Sequence, residues 1–284
     1  MSFLKWIQVC NTYDISQFIP FNVAEQPVGW IKKAKLSYLE PYPEVFQVHT
    51  NQVVLHPQLD SLETRTQAVA EMLEAWRSQQ LLPGWYNEQY PVSLSHDDPP
   101  LFLIERGAIS FFGIRASGVH LNGFCYKAGQ LFMWVGRRSA SMQAYPNLLD
   151  NLVAGGKPYN LGIQENIIKE CKEEANISSS LAKQAKPVGA IHYCIEVPGG
   201  LRRDTIYNYD LELPESFSPV NTDGEFENFY LWPIEKVIDK VANTKEFKTN
   251  CNLVIIDFLV RHGLLTPDTP NYTKIVEGLH PLLP

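Results

Sequence analysis

Three glutamates near the middle of the chain, Glu170, Glu173 and Glu174, have the type and spacing to do chemistry together. On a helix Glu170 and Glu174 stand four apart, share a face and can reach one cation, while Glu173 flanks Glu170. Carboxylates crowded toward a helix C-terminus oppose the macrodipole and one another, and a divalent ion removes both penalties. Hard oxygen donors of this kind suit Mg²⁺ or Mn²⁺, with substrate phosphate oxygens completing the shell. The competing reading of such a run is a solvated acidic face. What shifts the balance is the glycine-bearing loop that feeds the helix, and Gly155 and Gly156 join the substrate-binding candidates.

The elements that must position these groups follow from periodicity. Ile167, Ile168, Cys171 and Ala175 recur on one side of a helix predicted from Ile163 to Ala175. Val119–Tyr126 and Leu131–Gly136 alternate around Lys127-Ala128-Gly129-Gln130 and predict a hairpin. Val188–Val197 and Thr205–Leu213 read as strands, and Asp223-Gly224 as a turn before another strand ending near Trp232. Pro233 opens a helix over Ile234–Val241, and Leu253–Val260 looks like a final buried helix. Upstream, Leu62, Val69, Met72, Leu73 and Trp76 mark a helix whose start is predicted from the capping-box spacing of Asp60 and Glu63. The polar stretch Ser95–Pro100 is the best linker candidate. Strands and helices alternate without a regular βαβ rhythm, so the expected class is a mixed-sheet α/β sandwich. We place a small α+β domain at residues 1–104 and the main domain at residues 105–284.

A length of 284 residues accommodates both, and 45% hydrophobic with 19% charged residues is a globular profile. The net charge of −7 supplies no general footprint for nucleic acid or an anionic membrane. The longest apolar runs are too short to span a bilayer, and the first residues lack the pattern of a signal peptide. Five scattered cysteines without a C-x-x-C predict free thiols in a reducing compartment, the cytoplasm by default. The seven histidines have no zinc-like spacing and read as polar core or surface residues.

The segment Gly155–Ile177 resembles the Nudix box, G-x5-E-x7-R-E-U-x-E-E-x-G-U with U apolar. Gly155, Glu170, Cys171, Glu173, Glu174 and Ile177 fit; Leu161, Lys169 and Asn176 depart from it. Leu161 removes an accessory carboxylate, and Lys169 keeps the charge of the usual Arg without its bidentate fork. Asn176, in place of Gly, is the non-glycine residue that best tolerates a left-handed conformation. Further stretches, among them Gly118–Gly123, Trp134–Ser139, Leu149–Gly156, Asp223–Glu227, Phe247–Cys251 and Asp257–Gly263, are similar to one Nudix branch. That branch comprises the Nudix part of fungal thiamine pyrophosphokinase fusions and related plant and bacterial hydrolases. The likeness extends to Val28-Gly29-Trp30 and Trp85–Glu88, which resemble the extra domain ahead of the hydrolase core.

The resemblance implies a Nudix α/β/α sandwich and a Mg²⁺- or Mn²⁺-dependent pyrophosphohydrolase acting on a small organic diphosphate. Its favoured substrates are thiamine diphosphate and oxidised derivatives, cut to the monophosphate and phosphate. Glu170 and Glu174 are then the main metal ligands, and Glu173 binds a further ion or its water. A base is expected from the box or from a late loop, so Glu225 and Glu227 are candidates, pointing to one side if the chain is extended there. Arg137 and Arg138, ending the strand before the box, are candidates for gripping phosphate. Three alternatives stay open: a binding module whose degenerate box senses a diphosphate, a hydrolase of another nucleoside diphosphate derivative, and an isomerase of prenyl diphosphates. None of the cysteines sits in a motif that supports the isomerase. No nucleic acid or membrane partner is expected, and homodimerisation is left open.

Overall fold

One strand organises the part of the molecule that carries the box. In the computed structural model, which describes residues 2–284, Arg115–Lys127 hydrogen-bonds along one side to a single neighbour. On its other side the partner changes halfway along. The elements before it are α1 (Leu4–Cys10), β1 (Phe18–Val23), β2 (Gln26–Lys32), β3 (Phe46–Val48), β4 (Val53–Leu55), α2 (Leu62–Ser78), β5 (Gln89–Val92), β6 (Phe102–Glu105) and α3 (Ile109–Phe112). The long strand is β7. After it come β8 (Gln130–Arg138), β9 (Leu149–Asp150), β10 (Val153–Gly156), α4 (Ile163–Ala175), α5 (Ser179–Ala182), β11 (Lys186–Val197), β12 (Gly200–Glu212), β13 (Phe226–Pro233), α6 (Ile234–Asn243), α7 (Thr249–Arg261) and α8 (Tyr272–Gly278).

The large sheet runs β11-β12-β7-β8-β13, with β10 beside β7 and β9 beside β8. Only β12 and β7 pair in parallel, so the sheet is mixed, as expected. The β7–β8 hairpin turns through Ala128 and Gly129, both at positive φ (49° and 78°), the handedness that suits the twist of a two-residue connection. β7 pairs with β10 over Gly118–Leu121 and with β8 over Phe124–Lys127. Between those stretches the sheet divides, and the buried polar residues Asn122, Asn151 and Asp150 gather beside the division.

Alternation gives each face its own core. Val119, Leu121, Trp134, Tyr209 and Leu211 pack with Ile167, Cys171 and Ala175 of α4. Phe124, Met133, Val135 and Ile206 pack on the opposite face with α6, α7, α1 and α8. A separate core, built around Phe21, Ile31, Trp76, Phe102 and Phe112, joins the small sheet β2-β1-β4-β3 to α2 and to the β5–β6 pair. Packing crosses residue 104 in both directions. Trp6 and Ile7 belong to the core over α7, whereas Phe111, Phe112 and Ile114 complete the N-terminal core. Among the described residues no helix is long and apolar enough to cross a membrane.

Three local expectations are corrected. The cap of α2 is Ser61 rather than Asp60. The Ser61 hydroxyl accepts from the Thr64 amide at 3.1 Å and Thr64 Oγ1 accepts from the Ser61 amide, closing the capping box one residue later. Ser95–Pro100 is the loop joining β5 to β6, pinned to the large sheet by His96 Nε2 and Thr205 Oγ1 at 3.0 Å, and not a linker between domains. α7 is not the last helix, because α8 follows it and packs against α1.

Candidate functional site

The glycine strip comes first. On β10 a Cβ at Gly155 would collide with the Glu170 side chain, so the absence of a side chain there is what lets Glu170 lie across the strand. α4 is capped by Gly162, whose amide donates to Glu165 Oε2 at 3.1 Å, and Asn166 Nδ2 ties the helix to Gly156 O at 2.9 Å. It ends at Asn176, left-handed at φ 52°, as its substitution for glycine led one to expect. The four carbonyls at a helix end need outside donors. Here Val220 N–H reaches Ala175 O at 3.2 Å, and Thr222 Oγ1 and N–H reach Glu173 O at 2.5 and 3.3 Å. Those bonds dock the 220–225 loop on α4, and the turn at Gly224 (φ 87°) then delivers Glu225 to the box glutamates.

Glu170, Glu174 and Glu225 therefore form one neighbourhood. Glu174 is 2% exposed, and its Oε2 accepts from the Ala154 amide at 2.8 Å. Burial pushes its carboxyl well above the usual range, and the charges of Glu225 and Glu170 push it further. Glu170 is raised by burial and by its acidic neighbours against the pull of Lys169. Glu225 is raised chiefly by burial, although Arg138 NH1 at 3.6 Å opposes the shift. Glu173 points elsewhere: it is exposed and paired with Lys169 Nζ at 2.8 Å, and the same ammonium lies 3.3 Å from Glu170 Oε1. Glu227 does not join the cluster. The β13–β8 register shifts between Phe226 and Asn228, so the alternation that would align Glu227 with Glu225 is broken and Glu227 stays exposed.

The two arginines are already committed. Arg137 reaches Asn147 O at 2.8 Å and Glu246 Oε2 at 3.5 Å, turned toward the α6–α7 connection. Arg138 is buried. Its NH1 donates to Asp150 Oδ2 at 3.0 Å, and its Nε and NH2 donate to Ala144 O. Asp150, wholly buried, also takes Lys248 Nζ at 3.1 Å, the Cys251 thiol at 2.6 Å and the Asn151 amide at 2.9 Å. Burial alone would raise its pKa, but Lys248, His120 and Arg138 outweigh that and hold it at about 2. His120 donates from Nδ1 to Asn151 Oδ1 at 2.8 Å, and burial first, then Lys248, lowers its pKa to about 4.

Which group would hold a cation is decided by charge balance. Among the described residues His120, Asp150 and Cys251 are the one set of three donors whose ligand atoms converge within 4.8 Å. That set already contains two cations on its single carboxylate, so a third would be repelled. The Glu170–Glu174–Glu225 neighbourhood differs: its hard oxygen donors are raised by burial and by acidic neighbours, Lys169 pairs with Glu170, and the cations that reach Glu225, Arg138 and Lys248, are already bound to Asp150. It fits a hard divalent ion. A cleft of about 530 Å³ lies beside the box loop, between α2, the β5–β6 pair and Pro158–Asn160. Trp85, Glu88 and Tyr159 are on its walls.

Sequence reading missed Asp150, Lys248, Cys251 and His120 as a connected unit, because His120 lies 30 positions before Asp150 and Lys248 lies 98 positions after it, which leaves no spacing to recognise.

Comparison with known proteins bears on the whole chain. A family model described as a domain of unknown function, DUF4743, matches residues 2–116. The chain is 42% identical over 281 residues to "Nudix hydrolase 24, chloroplastic" of Arabidopsis thaliana, covering 98% of this chain and 77% of that protein. It is 41% identical to "Nudix hydrolase 20, chloroplastic" of the same plant, with the same coverage. An uncharacterised protein of Saccharomyces cerevisiae is 33% identical, over 90% of this chain and 81% of its own. Among solved structures, a C. elegans Ap4A hydrolase aligns with 53% of this chain and 99% of its own at 17% identity and a TM-score of 0.39. With relatives so similar along nearly all of its length, the chain belongs to the Nudix hydrolase family, enzymes that hydrolyse diphosphate bonds and generally need divalent metal ions.

Proposed function

We propose that the protein is a Mg²⁺- or Mn²⁺-dependent pyrophosphohydrolase of a small organic diphosphate, with thiamine diphosphate or its oxidised derivatives as substrate and the monophosphate and phosphate as products. The observation that carries this reading is the grouping of Glu170, Glu174 and Glu225, buried or half-buried carboxylates that are each raised by burial and by acidic neighbours. Glu170 and Glu174 would hold the ion, with Glu173 swinging from Lys169 to assist a further one. The metal would supply charge neutralisation for the diphosphate and a more acidic bound water. Glu225 is the late base: its raised pKa brings it closer to neutrality, where a base works best, and Arg138 fixes one of its oxygens. Gly155 and Gly156 would meet the diphosphate along the free edge of β10, since the room over the two glycines is taken by Glu170 and Tyr90.

The cleft supports the heterocycle. Its volume lies within the roughly 300–1,000 Å³ of small-molecule pockets. Trp85 stands on its wall with the carboxylates of Glu74 and Glu88, an aromatic and acidic lining suited to a flat cationic ring. We also propose a reducing compartment, the cytoplasm, and a division of the chain near residue 104.

The test is to incubate the protein with thiamine diphosphate, its oxidised forms, ADP-ribose and a nucleoside triphosphate, with and without Mg²⁺, following phosphate and monophosphate release. Mg²⁺-dependent turnover that favours the thiamine compounds is the expected result. Preference for another diphosphate would overturn the substrate. Binding without turnover would make the protein a sensor, a reading to which Lys169, paired with two of the three box glutamates, lends some support.

A further inference from the structure

The two glycines of β10 face opposite ways. Gly155 makes room for Glu170 on one face; at Gly156, on the other face, the space is filled from the N-terminal half. The Tyr90 hydroxyl occupies the point where a Gly156 Cβ would stand, and the Arg106 guanidinium carbon lies 3.5 Å from that point. Arg106 is the residue directly after β6, and Tyr90 lies on β5. The guanidinium is held on two sides. Its NH1 donates to Glu88 Oε2 at 2.8 Å, and its plane stands 4.7 Å over the Tyr86 ring. Among the described residues no partner takes the donors on Nε and NH2. The Ala154 amide points away from β7 to Glu174, so by the two-residue alternation the Gly156 amide also faces the open edge of β10. Three donors thus gather around a residue with no side chain, one position along β10 from the glycine that Glu170 covers.

We infer that Arg106, with Tyr90, is a diphosphate-binding residue of this active site, supplied by the N-terminal half and positioned by Glu88 and Tyr86. The inference rests on the diphosphate reading above and extends it. A substrate laid along the edge of β10 meets the metal carboxylates at Gly155 and the Arg106 fork at Gly156. An arginine with two free donors grips a phosphate bidentately, which a lysine cannot copy. The N-terminal half is then part of the catalytic unit rather than an appendage, and a hydrolase core without it would lack this grip.

The experiment compares wild type with Arg106→Gln, Arg106→Lys and Lys183→Gln in the full chain. It measures KM and kcat for the best diphosphate substrate, and the affinity for methylenediphosphonate in Mg²⁺ by titration calorimetry. Losing a charge-assisted fork predicts a rise in KM and in the Kd of the probe of about 10- to 100-fold for Arg106→Gln. Arg106→Lys should fall between it and wild type, and Lys183→Gln, at an exposed position outside the site, should match wild type. If Arg106→Gln does not fold, Arg106→Lys decides, because it keeps the charge and the Glu88 pair. A folded Arg106 variant that binds the probe within twofold of wild type overturns the inference, as does a wild type that binds no probe. Failure of the hydrolase reading shows separately, as absent turnover in wild type, and the probe still reports on Arg106 in that case.

Discussion

Two carboxylate neighbourhoods lie on either side of Arg138, and they are built on opposite plans. Asp150 is wholly buried, yet its pKa is held at about 2 by Lys248, His120 and Arg138. Glu174, almost as deeply buried, is pushed well above the ordinary range because its nearest charges are Glu225 and Glu170. The first group is electrostatically complete and gains from being charged. The second is left short of positive charge, and a protein tolerates that where an ion or substrate supplies the rest. One carboxylate secures the frame, and the proposed function assigns the other to chemistry.

The sharpest way to break this comparison is to neutralise each partner. Asp150→Asn strands Lys248 and Arg138 without their anion, and removing one side of a buried charge pair costs about 3–5 kcal/mol. Urea unfolding should show that loss, and a change below 1 kcal/mol would mean that Asp150 is not the anchor described. Glu174→Gln should do the reverse. It relieves like-charge crowding, so without metal the variant should melt no lower than wild type. Its kcat should fall about 1,000-fold, roughly 4 kcal/mol of barrier. A variant that loses stability and keeps activity would exchange the two roles.

A finer cut separates the late glutamates. Glu225→Gln should lower kcat about 100-fold, the lower end of what a positioned base contributes. Glu227→Gln should leave it unchanged, because that side chain lies outside the cluster. Equal losses from both would mean that the bulge after Phe226 does not set the alignment.

The smallest effect comes from His120, whose folded pKa of about 4 lies below the unfolded value near 6.5. The unfolded chain binds more protons than the folded one between those values. Stability is therefore full above pH 6.5 and is lost as pH falls toward 4, by about 2 kcal/mol between pH 7 and pH 5. Denaturation midpoints at the two pH values should converge in His120→Gln, and an undiminished gap in that variant would assign the acid sensitivity to other groups.

The helical half of the site was legible in the sequence because its signals are local. The period of Ile167, Cys171 and Ala175 set the helix, and Asn176 at the left-handed position marked its end. Glu225 was reachable from the Asp-Gly turn, but the shift that removes Glu227 depends on how β13 meets β8, which no single strand reveals. Arg138 was visible as a charge after a strand and invisible as a structural one, since Asp150 and Ala144 come to it through the 139–150 segment. Ser95–Pro100 had a linker's composition, but tertiary contacts made it a hairpin loop. Arg106 carried no sequence signal at all, because its meaning lies in a glycine fifty positions later.

In the proposed enzyme the box glutamates hold the ion and the Asp150 group does not. Titrating Mn²⁺ into wild type, Glu174→Gln and Cys251→Ala, with free Mn²⁺ followed by electron paramagnetic resonance, tests this directly. Wild type should bind the ion, Glu174→Gln should bind it at least tenfold more weakly, and Cys251→Ala should bind it as wild type does. Binding that survives in Glu174→Gln and disappears in Cys251→Ala would place the ion at His120, Asp150 and Cys251 and contradict that assignment.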